Sequence, residues 1–266
     1  ITAIVTVADD GGSSGELRKR MGILPPGDIR NCLAALSNNE DLLSQVFQYR
    51  FASGAGLEGH SLGNLLITAL TEITGSFEEA VAESGRVLAV YGRVLPSTLT
   101  DVRLLADLQG DDGEIHHVSG ETQIREMHGP VKRLWLDPAN TPAFPPAISA
   151  ILSADLIVIG PGSLYTSLLP NLLVRDLAEA VRASQALKFF ICNVATERGE
   201  TDHFACVDHV KSVETHVGPN LFDLVICNNH FEGNLGNDVD WVRMDDELLN
   251  HSAVYCADLI DTAYPW

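Results

Sequence analysis

Four short stretches of this 266-residue chain carry residue types that could act on a phosphorylated group. In the first, Thr6-Val7-Ala8-Asp9-Asp10-Gly11-Gly12-Ser13-Ser14-Gly15, a β-prone run ends at two adjacent carboxylates and passes at once into Gly and Ser. A strand end would fix Asp9 and Asp10, whose oxygens suit a divalent cation. Gly11, Gly12, Ser13 and Ser14 would form a loop whose backbone N–H groups lie open to an anion. The same residues also read as a strand followed by a polar turn, a common use of Asp, Gly and Ser. Downstream, Pro25-Pro26-Gly27-Asp28-Ile29-Arg30-Asn31 adds a third carboxylate and a cation. Asp28 can cap the helix that follows, or converge with Asp9 and Asp10. Arg18 and Arg30 are the local positive charges.

The second stretch, Gly59-His60-Ser61-Leu62-Gly63-Asn64, opens a helix. Ser61 is its expected cap, and Gly63 lets a ligand or another backbone approach the first turn. Exposed N–H groups there suit a phosphate, while His60 is either an acid, base or donor or a structural imidazole. In the third, an apolar run 155–159 leads into Gly160-Pro161-Gly162-Ser163 and a short helix over 164–169, ended by Pro170. Such a βα turn aims N–H groups at an anion at the carboxyl edge of a parallel sheet. Tyr165 stands where a dinucleotide fingerprint needs its third glycine, which disfavours a typical NAD turn. The fourth, Cys192-Asn193-Val194-Ala195-Thr196-Glu197-Arg198-Gly199-Glu200-Thr201-Asp202, also follows an apolar strand. Asn193 and Thr196 are candidates for uridine, sugar or substrate contacts. The alternative is a surface loop whose Thr201 or Asp202 caps the next helix. Ser13, Ser14 and Ser163 have no partnered base in the local sequence, so no covalent nucleophile stands out.

The elements expected to hold these loops alternate. Apolar runs 156–159, 189–192 and 224–227 suit strands buried on both faces of a parallel sheet. Helical patterns cover 28–37, 61–73, 77–90, 147–152, 174–184 and 203–216. Together they predict a three-layer α/β/α Rossmann-like domain with a mostly parallel sheet. Alternating runs 102–108 and 114–118, joined by a turn at 109–113, predict a small antiparallel β insertion. The whole chain then reads as one domain, with 1–92 and 147–266 forming the core and 93–146 the insertion.

Acidic residues number 36 against 17 basic ones, a formal net charge of −19 that disfavours nucleic acid and anionic membrane as partners. A small phosphorylated ligand stays compatible if local N–H groups, arginines or a metal offset that field. Hydrophobic residues make up 45%, enough for an ordinary core. No apolar run reaches membrane-spanning length and no signal-peptide pattern opens the chain. It begins without Met and inside a strand, so residues are expected upstream. Cys32, Cys192, Cys206, Cys227 and Cys256 are odd in number and lack CxxC spacing, which fits reduced thiols, with Cys192 and Cys227 in the core. His203, Cys206 and His209 fan across about 120° of a helix and do not converge on zinc.

Taken in order, VTVADDGGSSGELR, PPGDIRN, GHSLGN, VIGPGSLYTSLLPNLLV and CNVATERGETD resemble the YvcK-type branch of the CofD-like family. The resemblance runs to about residue 215 and is weaker beyond Asn228; the family's first strand and Gly-rich turn are expected upstream. It implies a Rossmann-like fold, a cytoplasmic location and a homodimer. In the CofD branch it implies metal-dependent transfer of a phospholactyl-type group from a nucleotide diphosphate donor to a deazaflavin, in coenzyme F420 synthesis. In the YvcK branch it implies a UDP-sugar-binding gluconeogenesis factor, without an established reaction, linked to cell shape and growth on gluconeogenic carbon. DDGGSSG and GPGSLYTSLLPN favour the second branch, a regulator with cell-wall synthesis machinery among its partners. By the same resemblance Asp9, Asp10 and Asp28 match the acidic positions that would hold Mg²⁺. Gly160, Gly162 and Ser163 match the phosphate turn, Asn193 the nucleotide-facing strand end, and His60 and Asn64 the GHSLGN loop.

Overall fold

The structure, a computed structural model, describes residues 1–37, 42–110, 112–127, 129–233, 235–236 and 239–260. In chain order it runs β1 (Thr2–Val5), α1 (Gly12–Met21), α2 (Gly27–Ala35), α3 (Leu42–Gln48), α4 (Leu62–Thr74), α5 (Phe77–Val87) and β2 (Arg93–Pro96). Then come β3 (Arg103–Gln109), β4 (Ile115–Ser119), α6 (Glu121–Met127), β5 (Val131–Asp137) and α7 (Pro145–Leu152). The last part holds β6 (Leu156–Ile159), α8 (Leu169–Leu173), α9 (Arg175–Ala183), β7 (Leu187–Ile191), α10 (Cys206–Val217), β8 (Leu224–Asn228), α11 (Asp246–His251) and β9 (Val254–Ala257).

Strands β6-β7-β8-β9 form a parallel sheet, β1 and β2 pair in parallel, and β4-β3-β5 form a small antiparallel sheet. This is the mostly parallel, Rossmann-like α/β class that the sequence predicts. The antiparallel sheet lies inside the expected insertion, 93–146, but β2 belongs with β1: Thr2 faces Arg93 and Val5 faces Pro96. Runs 102–108 and 114–118 are the antiparallel pair β3–β4, with Leu105 opposite Ser119. Their connection includes residue 111, which lies outside the described residues.

Serine caps explain the starts of two helices. Ser61 Oγ accepts the Asn64 N–H at 3.2 Å and starts α4, as expected, and Ser76 caps α5 in the same way. The amphipathic α9 buries Leu177, Ala178, Ala180 and Val181. Cys192 and Cys227 are fully buried core residues. Among the described residues no helix is long and apolar enough to cross a membrane.

Several expectations need correction. The Gly-Ser segment after Asp10 is not a loop: it is the first turn of α1, which starts at Gly12. Asp28 does not cap α2; Pro26 holds the cap position without a side-chain bond, and Asp28 sits in the first turn. Pro170 does not end a helix. A π-helical turn over Leu164–Leu168 passes into α8, where Pro170 occupies an early position whose missing N–H is harmless. Neither Thr201 nor Asp202 caps α10: Asp202 accepts the Gly199 N–H, and Asp208 reaches back to Ala205 N. Of the runs expected to be buried on both faces, β6 departs most: Leu156 and Val158, which share one face, remain 48% and 49% exposed.

Candidate functional site

One wall of the site is the passage from β1 into α1. Val7 and Ala8 are fully buried and anchor it. The Gly11 N–H donates to Asp9 Oδ1 at 2.9 Å, while Asp9 Oδ2 lies against α2. Gly27 is what makes room there: a Cβ on it would stand 2.4 Å from Ser14 Oγ and 2.6 Å from Asp9 Oδ2. Asp28 follows, and burial together with the Asp9 charge pushes its carboxyl up to about 6. Asp10 turns the other way. Its Oδ1 accepts the Thr122 N–H at 3.2 Å and Thr122 Oγ1 at 3.3 Å, at the start of α6. That contact brings in Glu121, 8% exposed, whose Oε1 has no partner. Burial, then Asp9 and Asp28, push its carboxyl up to about 9.

Cations line the same cleft. Arg30 is buried on α2; one of its terminal nitrogens donates to Asn31 Oδ1 at 2.6 Å, but its Nε has no partner. Burial, then the neighbouring Arg50, holds its pKa below the usual guanidinium value. From α4, Asn64 Nδ2 reaches Ser14 Oγ at 3.5 Å and its Oδ1 is left unpaired. Ser13 Oγ lies 2.9 Å from His60 Nδ1. Asp9, Gly11, Gly12, Ser13, Ser14, Gly27, Asp28, Arg30, Asn31, Arg50 and Asn64 enclose a cleft of about 240 Å³. Carboxylates and guanidinium groups crowded into one cleft, with unpartnered buried polar atoms among its lining residues, suit a ligand that brings both an anion and a cation. Among the described residues no three His, Cys, Asp or Glu side chains form a metal cluster. Asp9 and Asp28 nevertheless supply the hard oxygens that Mg²⁺ takes, one or two carboxylates completed by water and phosphate.

A second cluster surrounds the Gly160–Ser163 turn. Gly160 has φ +84°, and a Cβ there would meet the Ile191 carbonyl at 2.4 Å, so β6 and β7 can approach at this point only through glycine. Asn193 clamps Gly162 from both sides: Oδ1 accepts its N–H and Nδ2 donates to its carbonyl, each at 3.0 Å. Glu200, 4% exposed, is the hub. Its carboxylate accepts from Ser163 Oγ at 2.6 Å, Arg125 Nε at 2.9 Å, Thr166 Oγ1 at 3.0 Å and the Tyr165 N–H at 3.4 Å. Thr196 Oγ1 accepts the Asp240 N–H at 2.9 Å.

The CofD family, described as 2-phospho-L-lactate transferase CofD, matches residues 1–256. The chain belongs to the CofD family. The gluconeogenesis factor of Bacillus subtilis is 52% identical over 229 residues, which are 86% of this chain and 71% of that protein. The gluconeogenesis factor of Halalkalibacterium halodurans is 50% identical over 226 residues, 85% of this chain and 69% of that protein. A Nostoc relative is 56% identical over 85% of this chain, which spans 49%, about half, of that relative's length. A crystal structure of a UPF0052-family protein from Bacillus halodurans superposes with a TM-score of 0.89 at 44% identity, covering 98% of this chain and 86% of that one.

In this CofD-family chain the predicted site residues fall into two groups. Asp9, Gly11, Gly12, Ser13, Ser14, Asp28, Arg30 and Asn64 share the cleft, with His60 behind Ser13. Asp10 sits beside them but is committed to α6. Gly160, Gly162, Ser163, Asn193 and Thr196 lie in the second cluster, where the Gly162 and Tyr165 N–H groups are already taken by Asn193 and Glu200. Arg125 links the two clusters: it bonds Glu200, and its charge lowers the pKa of both Asp28 and Glu121. Sequence reasoning missed Arg50, Glu121, Arg125 and Glu200. Glu200 lies inside the quoted CNVATERGETD stretch, and its place beyond a buried strand was the available signal.

Proposed function

We propose that this CofD-family chain binds a sugar nucleotide, a UDP-sugar, with Mg²⁺ at Asp9 and Asp28. It would act as a cytoplasmic gluconeogenesis factor that serves cell shape during growth on gluconeogenic carbon. One observation carries the reading: a buried Arg30 whose guanidinium Nε has no partner, together with Arg50, lines the same cleft as Asp9 and Asp28. The arginines and the α1 N-terminus suit the diphosphate. Two carboxylates suit the cation that a diphosphate brings. The gluconeogenesis-factor names of relatives about half identical to it support the cellular role. A homodimer and contacts with cell-wall synthesis machinery belong to the same proposal.

Calorimetric titration with UDP-N-acetylglucosamine, with and without Mg²⁺, tests it. Saturable, Mg²⁺-strengthened binding is expected, weaker for UDP and absent for NAD. Asp9→Asn should remove the Mg²⁺ effect while leaving the fold intact, the change being nearly isosteric. No binding under either condition overturns the reading. The family description favours a second one, transfer of a phospholactyl-type group from a nucleotide diphosphate donor. Turnover of a guanosine-linked donor with a deazaflavin acceptor would decide for it.

A further inference from the structure

We propose that Ser13 is a phosphoryl-accepting nucleophile and His60 its general base, so that the cleft can cleave a phosphate ester or anhydride. The inference rests on the cleft being a phosphate site, and adds a covalent step to it. Ser13 and His60 are 47 residues apart, yet Oγ and Nδ1 meet at 2.9 Å, within the reach that nucleophile–base pairs need. Both are buried, 5% and 9% exposed, so water competes little for the bond. The backbone that carries His60 is fixed: its amide N–H donates to the Leu57 carbonyl and its carbonyl accepts the Phe51 amide N–H, each at 3.0 Å, just before Ser61 caps α4.

A serine–histidine bond in a packed core would be structural, but this one opens on the cleft. Ser13 lines it together with Arg30 and Arg50, and the unpaired Arg30 Nε and Asn64 Oδ1 lie in the same walls. Ser13 also occupies the first turn of the ten-residue α1, whose early N–H groups have no partner within the helix. A phosphoryl group placed there has its non-bridging oxygens facing guanidinium and N–H donors, which stabilise charge in the transition state.

With the ring proton on Nε2, Nδ1 accepts the Ser13 hydroxyl hydrogen. Oγ attacks phosphorus, a new O–P bond forms, and the bond from phosphorus to the leaving oxygen breaks. The departing oxygen keeps the electron pair and takes the proton from the imidazolium, which frees Nδ1. Water then attacks phosphorus and gives a proton to Nδ1, and the Oγ–P bond breaks to release phosphate. The proton passes back to Ser13 Oγ, which leaves the enzyme unchanged.

The test uses the full chain with 4-nitrophenyl phosphate. Release of 4-nitrophenolate and a phosphoserine mapped to Ser13 are expected, and Ser13→Ala should abolish both. His60→Gln keeps a polar side chain without a base and should slow release about 100-fold or more. A second variant, Ser13→Cys, places a thiol beside the base, and its alkylation by iodoacetamide should slow when His60→Gln is added. Release unchanged in Ser13→Ala, or equal rates with and without His60, overturns the dyad. Sugar-nucleotide binding without phosphoserine formation overturns the dyad and leaves the ligand reading standing, whereas loss of both overturns the two together.

Discussion

Replacing Glu200 by Ala tests whether the second cluster is held by one carboxylate. That side chain is 1% exposed, and four donors converge on it. Without it the Tyr165 N–H, on a buried residue, loses its acceptor, a loss of about 1–3 kcal/mol. The charge-assisted bond from Ser163 contributes about 1.5–3 kcal/mol more. Thr166 adds little, because it keeps Arg125 Nη2 at 2.8 Å and a bond to Ser163 Oγ. Arg125 is 53% exposed at its side chain, so water replaces the ion pair and its share stays within about 1 kcal/mol. One effect opposes these. Burial, then repulsion from Glu200, raises the Glu197 pKa, so removing Glu200 relieves Glu197. The expected net destabilisation is about 3–4 kcal/mol for Glu200→Ala. For Glu200→Gln, which keeps one acceptor oxygen but turns the other into an NH2 set against donors, it is smaller, about 1–2 kcal/mol. Urea unfolding followed by circular dichroism reads both, provided the denaturant slope is unchanged. A loss below about 1 kcal/mol for Glu200→Ala would refute the view that Glu200 organises the turn.

Glu121 should make stability fall with pH. Its carboxyl moves from 4.5 to about 9 on folding, so the folded state binds the extra proton. The stabilisation is whole below about pH 4.5 and is lost as pH rises towards 9; Asp28, raised from 3.8 to about 6, adds a loss of the same sign at lower pH. Glu121→Gln should therefore match wild type near pH 4 and exceed it by about 1 kcal/mol or more at pH 8; superimposable pH profiles would remove Glu121 from the carboxylate group. Gly27→Ala should destabilise by about 1–3 kcal/mol, although alanine is the better helix former, because its Cβ meets Ser14 Oγ and Asp9 Oδ2. A more stable Gly27→Ala variant would show that Asp9 and Ser14 can move apart freely.

What the sequence made legible was local. Ser61 and Asn64 are three residues apart, and the cap they form follows from residue type and position. The strand-to-helix rhythm likewise located β6, β7 and β8. What it concealed were contacts made across long stretches of chain. Asp10 and Asp9 are neighbours of the same type, and no propensity distinguishes them. The structure separates them because Thr122, 112 residues away, takes Asp10. Asn193 reads as a ligand-facing amide at a strand end, but both of its polar ends are spent on Gly162, 31 residues back.

The same logic explains why the antiparallel sheet, which reads as a bystander, bears on the site. Glu121 and Arg125 both stand on α6, which follows β4 directly. Glu121 joins the buried carboxylates while Arg125, 75 residues from Glu200, reaches the other cluster. Any shift of α6 moves a carboxyl group and a guanidinium group together, one relative to Asp9 and Asp28, the other relative to Ser163 and Thr166. The five motifs carry most of the site's residues, but its assembly depends on where the sheet between them docks.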